Sequence, residues 1–369
     1  MKKIRVIHVV HNFLRGGIES FLYYTVKEQL TNPNLDVAIL CCQSKDKVVN
    51  HRIEQLNVPI FYVEITPFEL RVSHLKQAVD IVNDYDIAHL QSYQPTLSWW
   101  LALCSCAKII STVHSAGTLL RDSSLKSMLK NYTYVKFLNR NDGVAHNSPF
   151  TKKFWNSKGL KERKTNVVVY NGVNFENNYS VSNAYKEFPF LKDKVIVGTS
   201  SRLIAWKRVE ILLETFADIS QKLPSNAILL IVGDGPELPK LKEMSQKKRI
   251  SDRVVFTGYR ANVTDYQAVM DICVFPSAEE PFGLVSIECL HLGKKVFVMH
   301  DGGGFVDIVG GCDASFVCGG IEDLGNKIVS SVADLKGDNG SCSRIAYSQR
   351  YSVRQSANSY FSLYQDVLK

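Results

Sequence analysis

Apolar strand-like runs alternate with amphipathic stretches along the first half of the chain. The predicted strands are Ile4–Val10, Asp36–Cys41, Pro59–Val63, Ile87–Gln91, Ala107–Val113, Gly143–His146 and Val167–Tyr170. The predicted helices between them are Ile18–Leu30, Leu70–Asn83, Leu125–Leu138 and Thr151–Ser157. Strands that alternate with helices in this way indicate βαβ units and a mostly parallel sheet.

The same pattern restarts after a polar, Asn-rich segment at 174–183. Its predicted strands are Val195–Ser200, Ala227–Val232, Val254–Thr257, Ile272–Phe275, Lys295–Met299 and Ala314–Val317. Its predicted helices are Arg208–Lys222, Pro236–Lys248, Val263–Met270, Leu284–Leu292 and Ile321–Leu335, followed by a last helix over Val353–Leu368.

The two patterns predict an α/β protein with two Rossmann-like domains, each built on a doubly wound parallel sheet. The first domain covers 1–173 and the second 195–352, with a linker over 174–194. We expect the last helix, 353–369, to join the first domain. Ligands of such sheets usually bind at the carboxyl ends of the strands.

Length and composition agree with this organisation. A chain of 369 residues is too long for one ordinary core, and 45% hydrophobic with 22% charged residues excludes a disordered or fibrous class. The nine cysteines are odd in number and form no CxxC pair, which favours buried free thiols in a reducing cytosol over disulfides or a zinc site.

The first apolar run is short and broken by histidines, and no stretch of eighteen apolar residues occurs. We therefore expect a cytoplasmic protein without a signal peptide or membrane span.

The positive charge is concentrated in the first half of the chain. Residues 1–173 hold 22 Lys and Arg against 13 Asp and Glu, whereas residues 174–369 hold 22 against 23. A basic half attracts diphosphate lipids, membrane surfaces or nucleic acid, although a solvated surface is an equal alternative. The basic amphipathic stretch 119–140 could lie on an anionic bilayer at the inner membrane or pack its apolar face on the core. No aromatic-interleaved basic pattern is present, so nucleic acid is not expected as a partner.

Two glutamates flank a turn from a predicted strand to a predicted helix. Glu280 lies in the loop after Ile272–Phe275, and Glu288 lies about one turn into the helix that begins near Leu284. The free N–H groups and the dipole of a helix start suit a diphosphate, and Gly283 would let the backbone approach it closely. An anion site is predicted here, the alternative being an acidic loop beside a solvated helical glutamate.

Two cations follow the first strand of the second half. Arg202 lies just past Val195–Ser200, and Lys207 lies five residues further on. Together they can neutralise a leaving diphosphate without a metal, the arginine through a forked contact and the lysine as a point charge. Surface cations beside a loop are the alternative interpretation.

The glycine turns do not match a dinucleotide fingerprint. Gly16-Gly17 lacks the G-x-G-x-x-G spacing, and Leu238 replaces the third glycine after Gly233-Asp234-Gly235. A nicotinamide cofactor is therefore not expected.

In order and spacing, these motifs resemble the retaining family 4 glycosyltransferases of the GT-B fold, of the bacterial surface-polysaccharide type. The resemblance covers nearly the whole chain. The family's Glu-x7-Glu element with an internal Phe-Gly is matched by Glu280, Phe282, Gly283 and Glu288. The other matching segments are Gly16-Gly17-Ile18-Glu19, Thr112-Val113-His114-Ser115, Ala145-His146-Asn147-Ser148, Tyr170-Asn171-Gly172-Val173, Ser201-Arg202-Leu203 with Lys207, Val232-Gly233-Asp234-Gly235-Pro236, Phe256-Thr257-Gly258-Tyr259 and Gly302-Gly303-Gly304.

The resemblance implies two domains that face each other across a cleft and a sugar transfer from a nucleotide diphosphate sugar with retention of configuration. It implies that the catalytic residues are Glu280 and His114, which contact the transferred sugar, and Arg202 and Lys207, which hold the phosphates. The implied donor-binding residues are Gly17, Gly233, Asp234, Tyr259, Phe282, Gly283, Leu284, Val285 and Glu288, the last of which binds the ribose. The implied acceptor-side residues are Gly16, Glu19 and Asn147.

Three positions depart from the family's usual pattern. Arg208 stands where a glycine usually follows the lysine, which leaves the shape of that loop open. Thr112 replaces the first histidine of a His-x-His element, and Asp307 stands where the family usually has Glu.

No cofactor or metal is expected. UDP-sugar is favoured over a guanosine donor because it is common in the resembled family. The expected acceptor is a saccharide or a lipid-linked saccharide, in capsule, O-antigen or exopolysaccharide synthesis. Asp84-Tyr85-Asp86 has the Asp-x-Asp pattern of a metal-binding motif of the other large glycosyltransferase fold, but it precedes its strand, and a polar turn is the preferred interpretation.

Two other functions remain open on the sequence. A nucleotide-sugar 2-epimerase on the same scaffold would convert the donor without an acceptor. A non-catalytic protein that binds an anionic ligand would have the same charged pocket without turnover.

Overall fold

The computed structural model describes residues 3–13, 17–48, 51–115, 124–175 and 179–369, with the side chains of 17–19 and 126 excepted. The chain forms two compact units. The first unit consists of Met1–Asn174 together with Tyr351–Lys369, and the second unit is Phe175–Arg350.

Each unit contains one parallel sheet. The first has β1 (Ile4–Val10), β2 (Leu35–Cys41), β3 (Ile60–Tyr62), β4 (Ile87–Leu90), β5 (Lys108–Val113), β6 (Gly143–His146) and β7 (Asn166–Val168), in the order β3-β2-β1-β4-β5-β6-β7. The second has β8 (Val195–Ser200), β9 (Ala227–Val232), β10 (Val254–Gly258), β11 (Ile272–Phe275), β12 (Lys295–Met299) and β13 (Val317–Cys318), in the order β10-β9-β8-β11-β12-β13. Both orders are doubly wound, as the sequence pattern predicts.

Helices connect the strands. In chain order the described α-helices are α1 (Gly17–Gln29), α2 (Val72–Asn83), α3 (Pro95–Cys104), α4 (Leu125–Leu138), α5 (Pro149–Ser157), α6 (Val181–Glu187), α7 (Val209–Ile219), α8 (Leu238–Lys247), α9 (Val263–Val269), α10 (Leu284–His291), α11 (Gly304–Cys312), α12 (Ile321–Ala333), α13 (Ser341–Ser348) and α14 (Val353–Leu368). The sequence pattern missed α3, α6, α11 and α13. These helices are short, and α3 is apolar on most sides, so none of them carries a clear helical period.

The segment predicted as a linker carries a helix. Within 174–194, α6 is followed by a single 3-10 turn over Pro189–Asp193. Asp265 accepts hydrogen bonds from Ser180 N and Asn183 Nδ2 at 2.6 and 2.9 Å. The segment therefore packs as part of the second unit, although its polar composition resembles a loop.

The last helix completes the core of the first unit. Tyr360 and Tyr364 of α14 are fully buried in the apolar cluster that also contains Ile39 of β2 and Phe21 of α1.

The nine cysteines are free in the structure, but they are not all buried. Five are buried, whereas Cys104, Cys106 and Cys342 are exposed and Cys312 is half-buried. Cys104 and Cys342 lie at the ends of helices and Cys106 lies in the loop after α3, where an apolar neighbour in sequence does not ensure burial.

Four histidines of the first unit are held neutral by burial. Burial lowers the pKa of His8, His114 and His146 to about 4 and places the pKa of His89 well below 6.5.

We expect the first unit to lose stability as the pH falls from about 6.5 toward about 4. The unfolded chain takes up protons on these histidines near pH 6.5, whereas the folded unit takes them up only near pH 4 or below. Each group then removes up to about 1.4 kcal/mol per pH unit within this window and nothing above it. Unfolding followed by tryptophan fluorescence measures this, because Trp99, Trp100 and Trp155 lie in the first unit.

A matched pair of variants controls this prediction. His146→Gln removes one of the buried groups and should make the acid dependence shallower. His51→Gln removes a histidine whose side chain is 64% exposed and should leave it unchanged. Equal unfolding midpoints for the wild type near pH 7 and near pH 5 would contradict the lowered pKa values of the buried histidines.

Candidate functional site

The sheet order of the second unit creates a crevice between β8 and β11. The chain moves from β8 outward to β9 and β10 on one side, and from β11 outward to β12 and β13 on the other. Because the connections leave in opposite directions, the carboxyl ends of β8 and β11 are where such sheets bind ligands.

A pocket of about 240 Å³ lies at this point, and we call it the β8–β11 pocket. It is lined by Thr199, Ser200, Ser201, Arg202, Trp206, Lys207, Phe275, Pro276, Ser277, Glu280, Val285 and Phe305. Three of the four residues predicted as catalytic, together with Val285, are thus brought together.

Lys207 and Glu280 form an ion pair inside this pocket. Lys207 Nζ lies 2.5 Å from Glu280 Oε2, and the two side chains are only 11% and 14% exposed. The ammonium also lies 4.2 Å from the centre of the Trp206 ring. Since this pair is close to neutral as a unit, the exposed Arg202 adds a net positive charge to the rim.

The backbone around Glu280 is fixed by the glycines that follow β12. Glu280 N donates to Gly302 O at 3.1 Å, and Gly304 N donates to Glu280 O at 2.6 Å. Gly303 has φ +64°, and a Cβ there would lie 2.7 Å from Glu280 O. A glycine is therefore required at Gly303 for this loop pairing.

Gly283 is required by its backbone conformation and by a close neighbour. It precedes α10 with φ +99°, and a Cβ would lie 2.3 Å from the ring of Phe305. The side of Gly283 on which a side chain would lie is thus filled by Phe305. Phe282 is buried and lies outside the pocket lining, and so does Leu284 at the start of α10.

Glu288 lies beside a polar cluster at the end of β8. Gln267 Nε2 donates to Glu288 Oε2 at 3.1 Å and to Ser200 Oγ at 2.9 Å. Burial raises the pKa of Glu288 above its usual value, and the hydrogen bond from Gln267 opposes this. Gln267 Oε1, Thr199 Oγ1 and Ser201 Oγ are buried without a partner in the described part of the chain. The cluster therefore has spare hydrogen-bonding capacity for a ligand that carries hydroxyl groups.

The other predicted donor residues of this unit lie at the same sheet edge but outside the pocket lining. Gly233 N donates to Gly258 O at 3.0 Å, and Asp234 O accepts from Leu203 N at 2.8 Å. Tyr259 follows β10 and is 72% exposed.

Arg208 adopts the left-handed conformation in which a glycine would be free of strain. It has φ +50° and ψ +38° and caps the start of α7. Its guanidinium donates to both Asp301 carboxylate oxygens at 2.6 and 2.7 Å and to Pro276 O at 2.8 Å. The loop therefore keeps a glycine-like shape, and Arg208 ties it to the loops after β11 and β12.

In the first unit, His114 lies directly after β5 and lines a pocket of about 350 Å³, the β4–β5 pocket. The pocket is lined by Gln91, Ser92, Tyr93, Thr112, His114, Ser115, Lys130, Asn131, Tyr134 and Trp155. The sequence reasoning missed Gln91, although its place just after β4, at the carboxyl edge of the sheet, is a signal that could have found it.

Among the described residues predicted for the first unit, Asn147 does not line this pocket. Asn147 Nδ2 donates to His114 O at 3.0 Å and so supports the loop. Gly17 begins α1, while Gly16 and the side chain of Glu19 lie outside the described residues. The Asp84-Tyr85-Asp86 segment lies at the opposite edge, where Asp86 accepts from Arg5 N at 2.8 Å, in agreement with a polar turn.

Two family models match the chain in succession. The model described as "Glycosyltransferase Family 4" matches residues 15–177, and the model described as "Glycosyl transferases group 1" matches residues 182–334. Together they cover most of both units.

Three curated relatives share about a quarter of their aligned residues with the chain. The N-acetyl-alpha-D-glucosaminyl L-malate synthase of Bacillus anthracis is 27% identical over 57% of this chain. The alpha-monoglucosyldiacylglycerol synthase of Streptococcus pneumoniae is 26% identical over 74%, and the lipopolysaccharide core biosynthesis mannosyltransferase LpsB of Rhizobium meliloti is 25% identical over 55%. The chain spans 56, 65 and 62% of the length of these relatives, respectively.

The fold is also shared with a solved structure. The crystal structure of Anabaena HepE in complex with UDP superposes with a TM-score of 0.82 at 20% identity, covering 98% of this chain and 100% of that one. Within the described residues, no helix combines the length and the apolar character that crossing a bilayer requires.

We expect Arg208→Ala to destabilise the second unit by about 1 kcal/mol more than Arg208→Gly. Both variants lose the pair with Asp301, which is partly exposed and contributes at most about 1 kcal/mol. Only the alanine keeps the left-handed strain, whereas the glycine relieves it. Thermal unfolding of the two variants measures the difference.

Asp301→Ala is the matched control for the ion pair, because it removes the pair and leaves the backbone of Arg208 unchanged. Equal stabilities for the alanine and glycine variants at position 208 would show that the strain is not present.

Proposed function

Because the chain belongs to the family 4 glycosyltransferases and has the GT-B fold, we propose that it transfers a hexosyl group from a nucleotide diphosphate sugar to an acceptor with retention of configuration. The favoured donor is a UDP-sugar, and the acceptor is a saccharide or a lipid-linked saccharide. One observation carries the proposal: Arg202, Lys207, Glu280 and Val285 line one pocket at the switch between β8 and β11. The relatives named above are synthases and a transferase, which favours transfer over the epimerase and the non-catalytic alternatives.

In this proposal the diphosphate binds between the two cations. Arg202 is exposed at the rim and can reach an anion with its forked donors, while Lys207 is held in place by Glu280 and Trp206. The backbone N–H groups at the start of α10 add further donors. Preorganised donors of this kind stabilise the charge that develops on the leaving group, so no metal is required by the mechanism.

Glu280 and Glu288 divide the rest of the donor between them. Glu280 is fixed by the glycines after β12 and faces the pocket, which suits contacts with sugar hydroxyls. Glu288 lies beside the unsatisfied hydroxyl and amide groups at the end of β8, which suits a ribose. HepE was solved in complex with UDP-glucose, and this supports the choice of a uridine donor.

Retention follows from same-face attack in this proposal. Glu280 is held in an ion pair by Lys207, which makes its carboxylate a poor nucleophile. The acceptor hydroxyl oxygen instead bonds to the anomeric carbon on the face from which the diphosphate departs. The bond to the leaving oxygen breaks, its electron pair stays on the β-phosphate, and that phosphate takes up the hydroxyl proton.

The acceptor is proposed to bind at the first unit, in synthesis of a bacterial surface saccharide at the cytoplasmic face of the inner membrane. Two of the relatives have names that refer to a lipid and to lipopolysaccharide core. The excess of Lys and Arg over Asp and Glu in residues 1–173 favours an acceptor or surface that carries negative charge.

An exposed stripe on α4 is the proposed membrane contact. Leu125, Met128, Leu129 and Tyr132 follow the spacing of one helix face and are 81, 55, 62 and 60% exposed. Lys130 and Lys136 also lie on α4 and are exposed. Apolar side chains flanked by lysines fit the boundary of an anionic bilayer.

We expect Arg202→Ala combined with Lys207→Ala to lower both donor turnover and the affinity for UDP at least tenfold. Each charged hydrogen bond to a phosphate contributes about 1.5–3 kcal/mol, and tenfold corresponds to about 1.4 kcal/mol. Calorimetric titration with UDP measures the affinity without knowledge of the sugar or the acceptor. Arg202→Ala alone keeps the Lys207–Glu280 pair and should show part of the loss.

Lys240→Ala combined with Lys247→Ala removes the same charge from exposed positions on α8 and should leave the UDP affinity unchanged. Turnover of the Arg202 and Lys207 double variant within tenfold of the wild type would refute the phosphate assignment.

We expect Leu125→Ser combined with Leu129→Ser to weaken binding to phosphatidylglycerol vesicles more than tenfold, because each buried leucine contributes about 1.5–3 kcal/mol. Vesicle co-sedimentation measures the binding. Leu30→Ser combined with Leu368→Ser changes two other exposed leucines of the first unit and serves as the control. Equal binding by both double variants would exclude the α4 stripe as the contact.

A further inference from the structure

Eight side chains of the first unit are joined in one continuous series of hydrogen bonds, which we call the polar chain. In order, it runs through His114, Gln91, His8, Gln29, Tyr364, His89, Thr112 and Tyr360. The distances between its hydrogen-bonding atoms lie between 2.6 and 3.2 Å. It starts in the β4–β5 pocket and ends on α14.

The two glutamine amides give the polar chain a direction. Gln29 Oε1 accepts from His8 Nε2–H at 2.8 Å, which leaves His8 Nδ1 to accept from Gln91 Nε2 at 3.0 Å. Gln91 Oε1 then accepts from His114 Nε2–H at 3.2 Å. An amide oxygen cannot donate, so with the two amides in this orientation both imidazoles carry their proton on Nε2.

The series continues in the same sense beyond Gln29. Gln29 Nε2 donates to the Tyr364 hydroxyl at 3.1 Å, and that hydroxyl can donate its own proton to His89 Nδ1, which lies 2.7 Å away. In this arrangement His89 carries its proton on Nε2 and donates it to Thr112 Oγ1 at 2.6 Å, and this oxygen hydrogen-bonds to the Tyr360 hydroxyl. Thr112, which replaces a histidine of the family pattern, therefore links His89 to Tyr360 in the polar chain.

The histidines of the polar chain are neutral. His8 and His89 are fully buried, and an imidazolium has to donate from both ring nitrogens. Nδ1 of His8 faces an amide N–H, so a second proton on that ring has no acceptor. Burial holds the pKa of His89 well below its usual value.

We propose that the polar chain fixes His114 as the neutral Nε2–H tautomer, so that its Nδ1 presents a hydrogen-bond acceptor to a sugar hydroxyl in the β4–β5 pocket. Gln91 is the positioning residue, because its amide hydrogen-bonds both to His114 and to His8, and the His8 proton position is set in turn by Gln29. That the ligand is a sugar rests on the proposed function, whereas the tautomer does not.

The surroundings of His114 agree with this role. Its Nδ1 has no hydrogen-bond partner among the described residues, and the ring packs edge-on to Phe21 at 5.3 Å between centres. Since Nε2 is occupied by Gln91, Nδ1 is the ring nitrogen left for a ligand. A neutral acceptor at this point selects a group that donates, such as a hydroxyl, over a carboxylate or a phosphate.

The test is long-range ¹H–¹⁵N correlation spectroscopy on the full chain with ¹⁵N-labelled histidine, with each resonance assigned by single substitution of one histidine. We expect His8, His89 and His114 each to show one neutral state at neutral pH, with the proton on Nε2. A proton on Nδ1 of His114, different tautomers among the three rings, or a cationic ring would overturn the proposal.

Gln91→Leu tests the positioning role on the same spectra. The imidazole N–H of His114 should then exchange with solvent more than tenfold faster, because its acceptor is gone. Gln94→Leu is the matched control, since Gln94 is also buried and hydrogen-bonds to His11 outside the polar chain. Unchanged exchange in Gln91→Leu would refute the role of Gln91. UDP binding measured on the same samples reports separately on the proposed function. A wild type that does not bind UDP would count against that function, whereas the tautomers measured by the spectra would be unaffected.

Discussion

The backbone pairing between the loop after β11 and the glycines after β12 determines where the carboxylate of Glu280 lies. Two backbone hydrogen bonds hold the loop that carries Glu280, and Gly303 permits the close approach of the two backbone segments. Lys207 is then held against a fixed acceptor, and Arg208 ties the lysine loop to Asp301 beside the same glycines. Three loops from three strands are thus connected by these contacts around the β8–β11 pocket.

The carboxyl edges of the two sheets carry different kinds of side chain. In the second unit, the carboxyl edge of the sheet carries charges, with an ion pair and an arginine around the pocket. In the first unit, the corresponding edge carries uncharged imidazole, amide and hydroxyl groups that are joined by hydrogen bonds, and the one charged side chain in the described lining of the β4–β5 pocket is Lys130 of α4. A charged site suits phosphates, and a neutral site with a defined acceptor suits hydroxyl groups. The division agrees with a donor on one unit and a sugar hydroxyl on the other.

The sequence predicted the alternation of elements and the two parallel sheets, because buried strands leave continuous apolar runs that are easily recognised. It also placed Arg202, Lys207 and Glu280 at one sheet edge, since motif order puts them in the loops that follow β8 and β11. It could not predict that Arg208 adopts a left-handed conformation or that Phe305 fills the space beside Gly283, because both depend on loops distant in sequence. The polar chain was missed for the same reason: Gln29, Gln91 and Tyr364 are ordinary residues until the fold brings them together.

The place of α14 has a consequence for synthesis on the ribosome. The helix supplies Tyr360 and Tyr364 to the core of the first unit, yet it is translated only after the whole second unit. The nascent first unit therefore has an uncovered apolar face next to Phe21, and Gln29 Nε2 and His89 Nδ1 lack their partner Tyr364 until α14 is made. A chaperone that shields this face during translation would act on the amino-terminal half, although the missing piece lies at the other end of the chain.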